Sequence, residues 1–289
     1  MVEQAWPATA GFDERDRVKP MSKPEFERIA ALARERFGLD LRSGKEDLVS
    51  ARLGKRLRST KFRSFGEYYE YLIADRSGEE MRNLINSLTT NHTSFFREPA
   101  HFEYLNESIL GGGPVSPPFR IWSAGCSTGE EPYSILVSIA EAGGAAHLSG
   151  VQILATDISS KVLAIAARGI YPEDRFRGVP RSVLSRCLLR GTGKHAGYYR
   201  VKPHLAARVE FRWLNLIDPF PSLPPFDVIF CRNVMIYFNR ETQQRVVNRL
   251  ADCLAPGGHL LVGHAESLSG VRHVLEYVKP SIYRRKVRR

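Results

Sequence analysis

Between the strand-like run Phe119 to Ala124 and a helix-like pattern lies Gly125-Cys126-Ser127-Thr128-Gly129-Glu130-Glu131, and the next apolar run, Val151 to Ala155, ends at Asp157. Glycines let a backbone approach a ligand closely, a helix start offers unpaired N–H groups, and a carboxylate past the next strand can take the vicinal hydroxyls of a ribose. This layout suits a nucleoside. Gly125 and Gly129 do not make the G-x-G-x-x-G spacing that packs a pyrophosphate, so the methyl donor S-adenosylmethionine fits better than a dinucleotide. Asp157 could cap a helix near Ser159, but its place beyond the second strand favours ribose binding. Downstream, Asn215-Leu216 offers a side-chain amide and an apolar body that could bracket adenine. Arg232-Asn233 follows the strand-like Phe226 to Cys231 and enters the crevice where such sheets bind ligands.

The elements that must position these residues are legible as alternation. From Phe119 onward strand-like runs alternate with helical patterns, which calls for an α/β domain with a parallel sheet covered on both faces. Strands are expected at 119–124, 151–156, 208–213, 226–231 and 259–263, with a terminal antiparallel pair near 273–278 and 281–286. Pro256-Gly257-Gly258 should end a helix and turn tightly into the fifth strand. Between Tyr171 and Arg208 the alternation fails at Pro172, Pro180, Pro203, Gly191, Gly193 and Gly197, and the stretch 171–207 reads as an inserted antiparallel excursion.

Upstream, Ser22-x-x-Glu25, Ser64-x-x-Glu67 and Ser77-x-x-Glu80 have the form of capping boxes. With a helix near Lys45 to Thr60 they predict a small all-helical domain at 21–90, after a disordered tail at 1–20. A linker, Asn91 to Glu98, and a helix near Ala100 to Leu110 lead to a break at Gly111-Gly112-Gly113-Pro114 and Pro117-Pro118, so that 91–118 connects the two domains and 119–289 forms the second.

At 289 residues and 43% hydrophobic content the chain can bury a full core, and no segment reaches transmembrane length. The first twenty residues mix acidic residues with prolines and lack the apolar core of a secretory signal. Cys126, Cys187, Cys231 and Cys253 are scattered, with no CxxC and no His at ligand spacing. That pattern argues for free thiols in the cytosol rather than disulfides or a metal site. The formal charge of +11 points to an acidic partner. It concentrates in Leu48 to Gly66, which holds Arg52, Lys55, Arg56, Arg58, Lys61 and Arg63 and no acidic residue, in Arg168 to Arg212, and in the closing Arg284 to Arg289. On a helix Lys45, Arg52 and Arg56 fall beside the stripe of Val49, Leu53 and Leu57, a positive face suited to docking on an acidic helix.

Four ordered motifs carry a resemblance: Thr93-Ser94-Phe95-Phe96-Arg97-Glu98, the segment Trp122 to Ser134 around the glycine loop, Phe230-Cys231-Arg232-Asn233-Val234-Met235-Ile236-Tyr237-Phe238, and Leu254-Ala255-Pro256-Gly257-Gly258. From about Lys23 to Arg285 the chain resembles the CheR chemoreceptor methyltransferases. The resemblance implies a class I (Rossmann-like) S-adenosylmethionine-dependent methyltransferase domain that methylates glutamate side chains of bacterial chemoreceptors and releases S-adenosylhomocysteine. It further implies that Arg97, with Asn91 and Thr93, lines the donor site, a role that suits a guanidinium facing the methionine carboxylate. Glu131 would meet the donor's ammonium, and Tyr237 would stand beside the transferred methyl. The acidic partner becomes the receptor's methylation helices. The inserted excursion, with Gly191, Gly193, Gly197 and Arg200, resembles the family's small β-subdomain, which in some members captures a receptor's C-terminal peptide by strand addition.

A glutamate carboxylate, with a reference pKa of about 4.3, is ionised near neutral pH and attacks a sulfonium methyl without a general base. Arg97 and Tyr237 are then expected to act by position and electrostatics. Two rival readings make different demands. A nucleic-acid methyltransferase would fit the basic charge, but the segment after the fourth strand reads Arg232-Asn233-Val234-Met235, without Asn/Asp-Pro-Pro-Tyr, and no Pro-Cys supplies a nucleophile for pyrimidine C5, Cys231 being followed by Arg232. A non-catalytic donor-binding adaptor would not need Arg97, Asp157 and Tyr237 together.

Overall fold

The computed structural model describes residues 19–60, 62–111 and 117–287, so most of the expected tail, Lys61, Gly112-Gly113-Pro114 and the last two arginines lie outside the described residues. The chain divides into two compact units, one comprising Met1–Arg34 with Leu41–Leu88 and the other Glu35–Asp40 with Thr89–Arg289.

The first unit is helical: α1 (Lys23–Phe37), α2 (Glu46–Arg58), α3 (Phe65–Ala74) and α4 (Glu79–Leu88). Val49, Leu53 and Leu57 face inward as their spacing requires, and pack in a core with buried Ile29, Phe65, Tyr68, Leu72 and Leu84. The capping boxes form only in part. Glu25 accepts from the Ser22 N–H at 2.8 Å, and Ser64 Oγ accepts from the Glu67 N–H at 3.1 Å. At α4 the expected box is replaced, because Asp75 Oδ2 accepts the Glu80 N–H at 2.9 Å. The Glu80 side chain instead turns inward, accepting from Arg56 Nε at 3.0 Å, Arg56 Nη2 at 2.6 Å and Tyr68 Oη at 2.9 Å.

The second unit is built on seven strands: β1 (Phe119–Ala124), β2 (Val151–Asp157), β6 (Val209–Trp213), β7 (Phe226–Cys231), β8 (Leu254–Val262), β9 (Leu275–Lys279) and β10 (Ile282–Arg285). Their spatial order is β6-β2-β1-β7-β8-β10-β9, parallel through β8 and closed by the antiparallel β10 and β9. The order reverses between β1 and β7, and ligands of such sheets bind beyond the strands' carboxyl ends at that switch. Alternation along β1 sends Ile121 into one core, with α6 (Glu130–Leu148), and Trp122 into the other, with α10 (Arg240–Cys253). Helix α7 (Ser160–Arg168) follows β2, capped by Ser159.

Three further differences have local causes. The helix expected at 100–110 is α-helical only over α5 (Ala100–Tyr104) and continues as a π-helical turn, Leu105–Ile109. Strand β8 starts at Leu254 rather than 259, with Pro256-Gly257-Gly258 inside it at a register shift against β7. Gly258 is needed there, because a Cβ would stand 2.9 Å from the carbonyl oxygens of Ala255 and Phe226. The inserted excursion is an antiparallel sheet of β3 (Ile170–Pro172), β5 (Tyr198–Val201) and β4 (Leu188–Arg190), with β5 central. It also carries α8 (Arg181–Cys187) and α9 (Pro203–Ala206), which the breaker residues had hidden.

Candidate active site

The loops that follow β1, β2 and β7 meet at the switch point, and the linker before β1 is fastened to them. Phe95 stacks on Phe176 with ring centroids 4.3 Å apart, Phe96 packs edge-on against Phe102, and the Phe96 N–H donates to Ser134 Oγ on α6 at 2.9 Å. The Asn91 carbonyl accepts from Ser127 Oγ of the glycine loop at 3.1 Å, and the Thr93 carbonyl accepts from Arg175 at 3.2 Å. Arg97 is partly exposed, with Nη1 donating to the His92 carbonyl at 3.1 Å.

Arg232 is the hub of the site. Its side chain is 2% exposed and lies between two carboxylates: Nε and Nη2 donate to Glu98 Oε2 at 3.2 and 2.9 Å, and Nη1 donates to Glu131 Oε2 at 3.1 Å. Nη2 also donates to the Arg97 carbonyl. Glu131 also accepts from Ser123 Oγ at 2.6 Å. Burial raises the Glu131 pKa, and the nearby guanidinium and the Ser123 hydroxyl only partly offset it. At Glu98 burial also pushes upward, but the Arg232 charge and hydrogen bonds outweigh it and leave the pKa below the usual carboxylate value. Arg232 therefore binds Glu131 in place rather than projecting into open space.

Asn233 adopts a left-handed backbone, φ 58°. Its N–H donates to Glu266 Oε2 at 2.7 Å, and its amide lies 3.4 Å from Glu98 Oε1. Glu266 also accepts the N–H groups of Gly263 at 2.7 Å and Ile236 at 3.2 Å, which shapes the 3-10 turn Met235–Tyr237. Tyr237 is partly exposed, and its hydroxyl lies 3.4 Å from the Thr90 carbonyl.

Asp157, 9% exposed, accepts the Ser127 N–H on Oδ2 and the Ser159 N–H on Oδ1, both at 2.8 Å. Burial raises its pKa against the backbone hydrogen bonds from Ser159, Ser127 and Ile158. The carboxylate thus sets the glycine loop, and its two oxygens keep acceptor capacity beyond the backbone amides they hold. Gly125 and Gly129 have φ of +92° and +94°, and a Cβ on Gly125 would come within 2.3 Å of Val234 Cγ2. Asn215 and Leu216 are buried at 5% and 7%; the Asn215 amide donates to the Arg36 carbonyl at 2.8 Å, and Leu216 packs in the core with Trp122 and α10. Their backbone borders the β6 end, but their side chains serve packing.

Family models match most of the chain. The family model described as CheR methyltransferase, SAM binding domain, matches residues 91–284, and that of the CheR methyltransferase all-alpha domain matches residues 24–89. This chain belongs to the CheR methyltransferase family. A chemotaxis protein methyltransferase of Klebsiella aerogenes is 43% identical over 255 residues, covering 87% of this chain and 86% of that protein. Its Escherichia coli counterpart is 42% identical over 250 residues, 86% of each chain. That of Borreliella burgdorferi is 38% identical over 273 residues, 92% of this chain and 95% of the relative.

As a CheR methyltransferase the protein uses S-adenosylmethionine, and the residues at the switch point fit it. Asp157 at the end of β2 and Glu131 at the start of α6 are acceptors of the kind that a polyhydroxylated ribose and a cationic ammonium take. Of the residues expected to face a partner, Lys45 is exposed, whereas Arg52 donates to the Leu88 carbonyl at 2.5 Å and Arg56 is drawn onto Glu80. Lys55 and Arg58 of α2 are exposed as well. In the CheR β-subdomain Gly193 and Gly197 have φ of 54° and 83°, Gly191 donates to the Tyr198 carbonyl at 2.8 Å, and exposed Arg200 sits on β5, which is paired on both sides. Sequence reading left two residues unassigned: Glu98, beside Arg97 in its own motif, and Glu266, four residues beyond the end of β8 as a second carboxylate past a strand end.

Proposed function

We propose that this CheR methyltransferase transfers a methyl group to glutamate side chains of bacterial chemoreceptors in the cytoplasm, forming methyl esters. One observation carries the reading. The acidic groups at the switch point are each held by protein donors, Glu98 and Glu131 by Arg232 and Asp157 by the loop amides, so they are set to bind and position rather than to take a proton, and the site suits an acceptor that arrives already ionised. S-adenosylmethionine, when bound, supplies a methyl on a cationic sulfur. In this reading Arg97, with Asn91 and Thr93, takes the donor's carboxylate, Glu131 its ammonium and Asp157 its ribose. The segment Asn215-Leu216 borders the adenine through its backbone, and Arg232 and Asn233 act by holding Glu131 and the β7 loop. Tyr237 orients the acceptor from its 3-10 turn, and pre-orientation of this kind contributes on the order of 7–11 kcal/mol.

Four unpaired cysteines support the cytoplasm as the compartment, and among the described residues no helix is long and apolar enough to cross a membrane. The acidic methylation helices of a receptor are the partner that suits exposed Lys45, Lys55 and Arg58. A receptor's C-terminal peptide would add to the three-stranded sheet at β3 or β4, since β5 is paired on both sides. The test uses tritium-methyl donor and a receptor cytoplasmic fragment. Label released as volatile methanol in base, and lost when the receptor's glutamates are changed to alanine, is the expected result; label that is stable in base contradicts the reading.

A further inference from the structure

Beneath the linker three side chains from separate parts of the second unit converge. One ligand atom each from Glu98, His101 and His264 lies within 4.8 Å of the others. Glu98 and His101 are one helical turn apart at the start of α5, and His264 follows β8, so no spacing in the sequence announces the cluster. His101 is 1% exposed, and among the described residues neither ring nitrogen has a hydrogen-bond partner; Nδ1 stands 3.5 Å from Glu98 Oε2. A buried imidazole with both nitrogens unmatched is costly, because each lost its water without a replacement. The His264 ring packs edge-on with centroids 5.0 Å away and is itself exposed, which provides a path from solvent.

We propose that Glu98, His101 and His264 form a site for one divalent transition-metal cation of the zinc class. Two imidazoles and one carboxylate are the ligand types such ions take, and three protein ligands leave a position for water. Charge does not forbid it. Arg232 and Lys279 are the cations that face His101, but Arg232 is already paired with the two carboxylates Glu98 and Glu131, so its charge is met before a divalent cation enters. The ion gives the unmatched His101 nitrogen a partner, and Glu98 Oε2 then serves Arg232 and the ion together.

The test titrates the intact, metal-stripped protein with Zn2+ by calorimetry and with Co2+ by absorption and NMR. One equivalent should bind, Co2+ should develop ligand-field bands, and the imidazole resonances of His101 and His264 should shift or broaden ahead of those of other histidines. His264→Ala, a change at an exposed position, should weaken Zn2+ at least about tenfold. Equal Zn2+ affinity in the variant, or Co2+ effects confined to other histidines in the unaltered protein, would overturn the site. The resonance measurement needs no variant and so decides the matter even if His264→Ala misfolds.

Discussion

Arg232 shows what one side chain contributes to the site. Its guanidinium is the shared counter-ion of Glu98 and Glu131, and a planar fork with five donors is what two carboxylates and a carbonyl require. Arg232→Met should therefore destabilise the fold by about 3 kcal/mol in urea unfolding, because two inward-facing carboxylates lose their charge partner. The pH dependence follows from Glu98, whose pKa is held below its ordinary value in the folded chain. A depressed folded pKa contributes stability that is present above the unfolded pKa and is lost as pH falls through the folded one. The stability of the unaltered protein should thus decline on acidification below the usual glutamate range, and the Arg232→Met variant should lack that contribution; a parallel acid limb in both would contradict the pairing. Gly125→Ala is the backbone counterpart: a left-handed φ and a clash with Val234 should together cost about 2–4 kcal/mol in thermal unfolding. The positions of Gly125 and Asp157 could be read from the chain because each sits where a strand gives way to the loop before a helix. The Glu98–Arg232–Glu131 arrangement could not, because its members are 134 and 101 positions apart and only the sheet order joins them.

Among elements, α2 and α4 are the pair whose contact decides what the helical unit shows to solvent. Periodicity places Val49, Leu53 and Leu57 in the core, and they are there. It says nothing of whether a cation beside that stripe meets solvent or a buried acid. Glu80, 4% exposed, settles this by taking Arg56 at 2.6 Å, with Tyr68 as a further donor. Glu80→Gln should lower the stability of the helical unit by roughly 2–3 kcal/mol, measured by urea denaturation of the whole chain, since Arg56 then lacks its counter-charge. A loss below a few tenths would mean that the pair is mere surface decoration. The strands of the second unit were legible for the opposite reason: β1, β2, β7, β8 and β9 each have Gly or Pro directly at one end at least, and each strand needs only its own two faces. The early start of β8 and the π-helical turn escaped because Pro256-Gly257-Gly258 also has the form of a turn, and because a π turn keeps the apolar pattern of a helix.

For the molecule as a whole, the charge of +11 is expected to act on encounter with the acceptor rather than on the donor. Reversing exposed Lys55 and Arg58 to Glu should slow receptor methylation roughly threefold to thirtyfold at low salt, with the gap closing as ionic strength rises, and should leave donor affinity unchanged. Equal slowing at all salt concentrations would point instead to damage within the fold. The central claim is that the loops beyond β1, β2 and β7 hold one S-adenosylmethionine with Asp157 on its ribose. Calorimetric titration of the intact chain with S-adenosylmethionine and S-adenosylhomocysteine, repeated on Asp157→Ala with folding checked by circular dichroism, tests it most directly. One molecule of either compound should bind per chain, and the variant should bind both about tenfold to a hundredfold more weakly; undiminished affinity in a folded Asp157→Ala protein would contradict it.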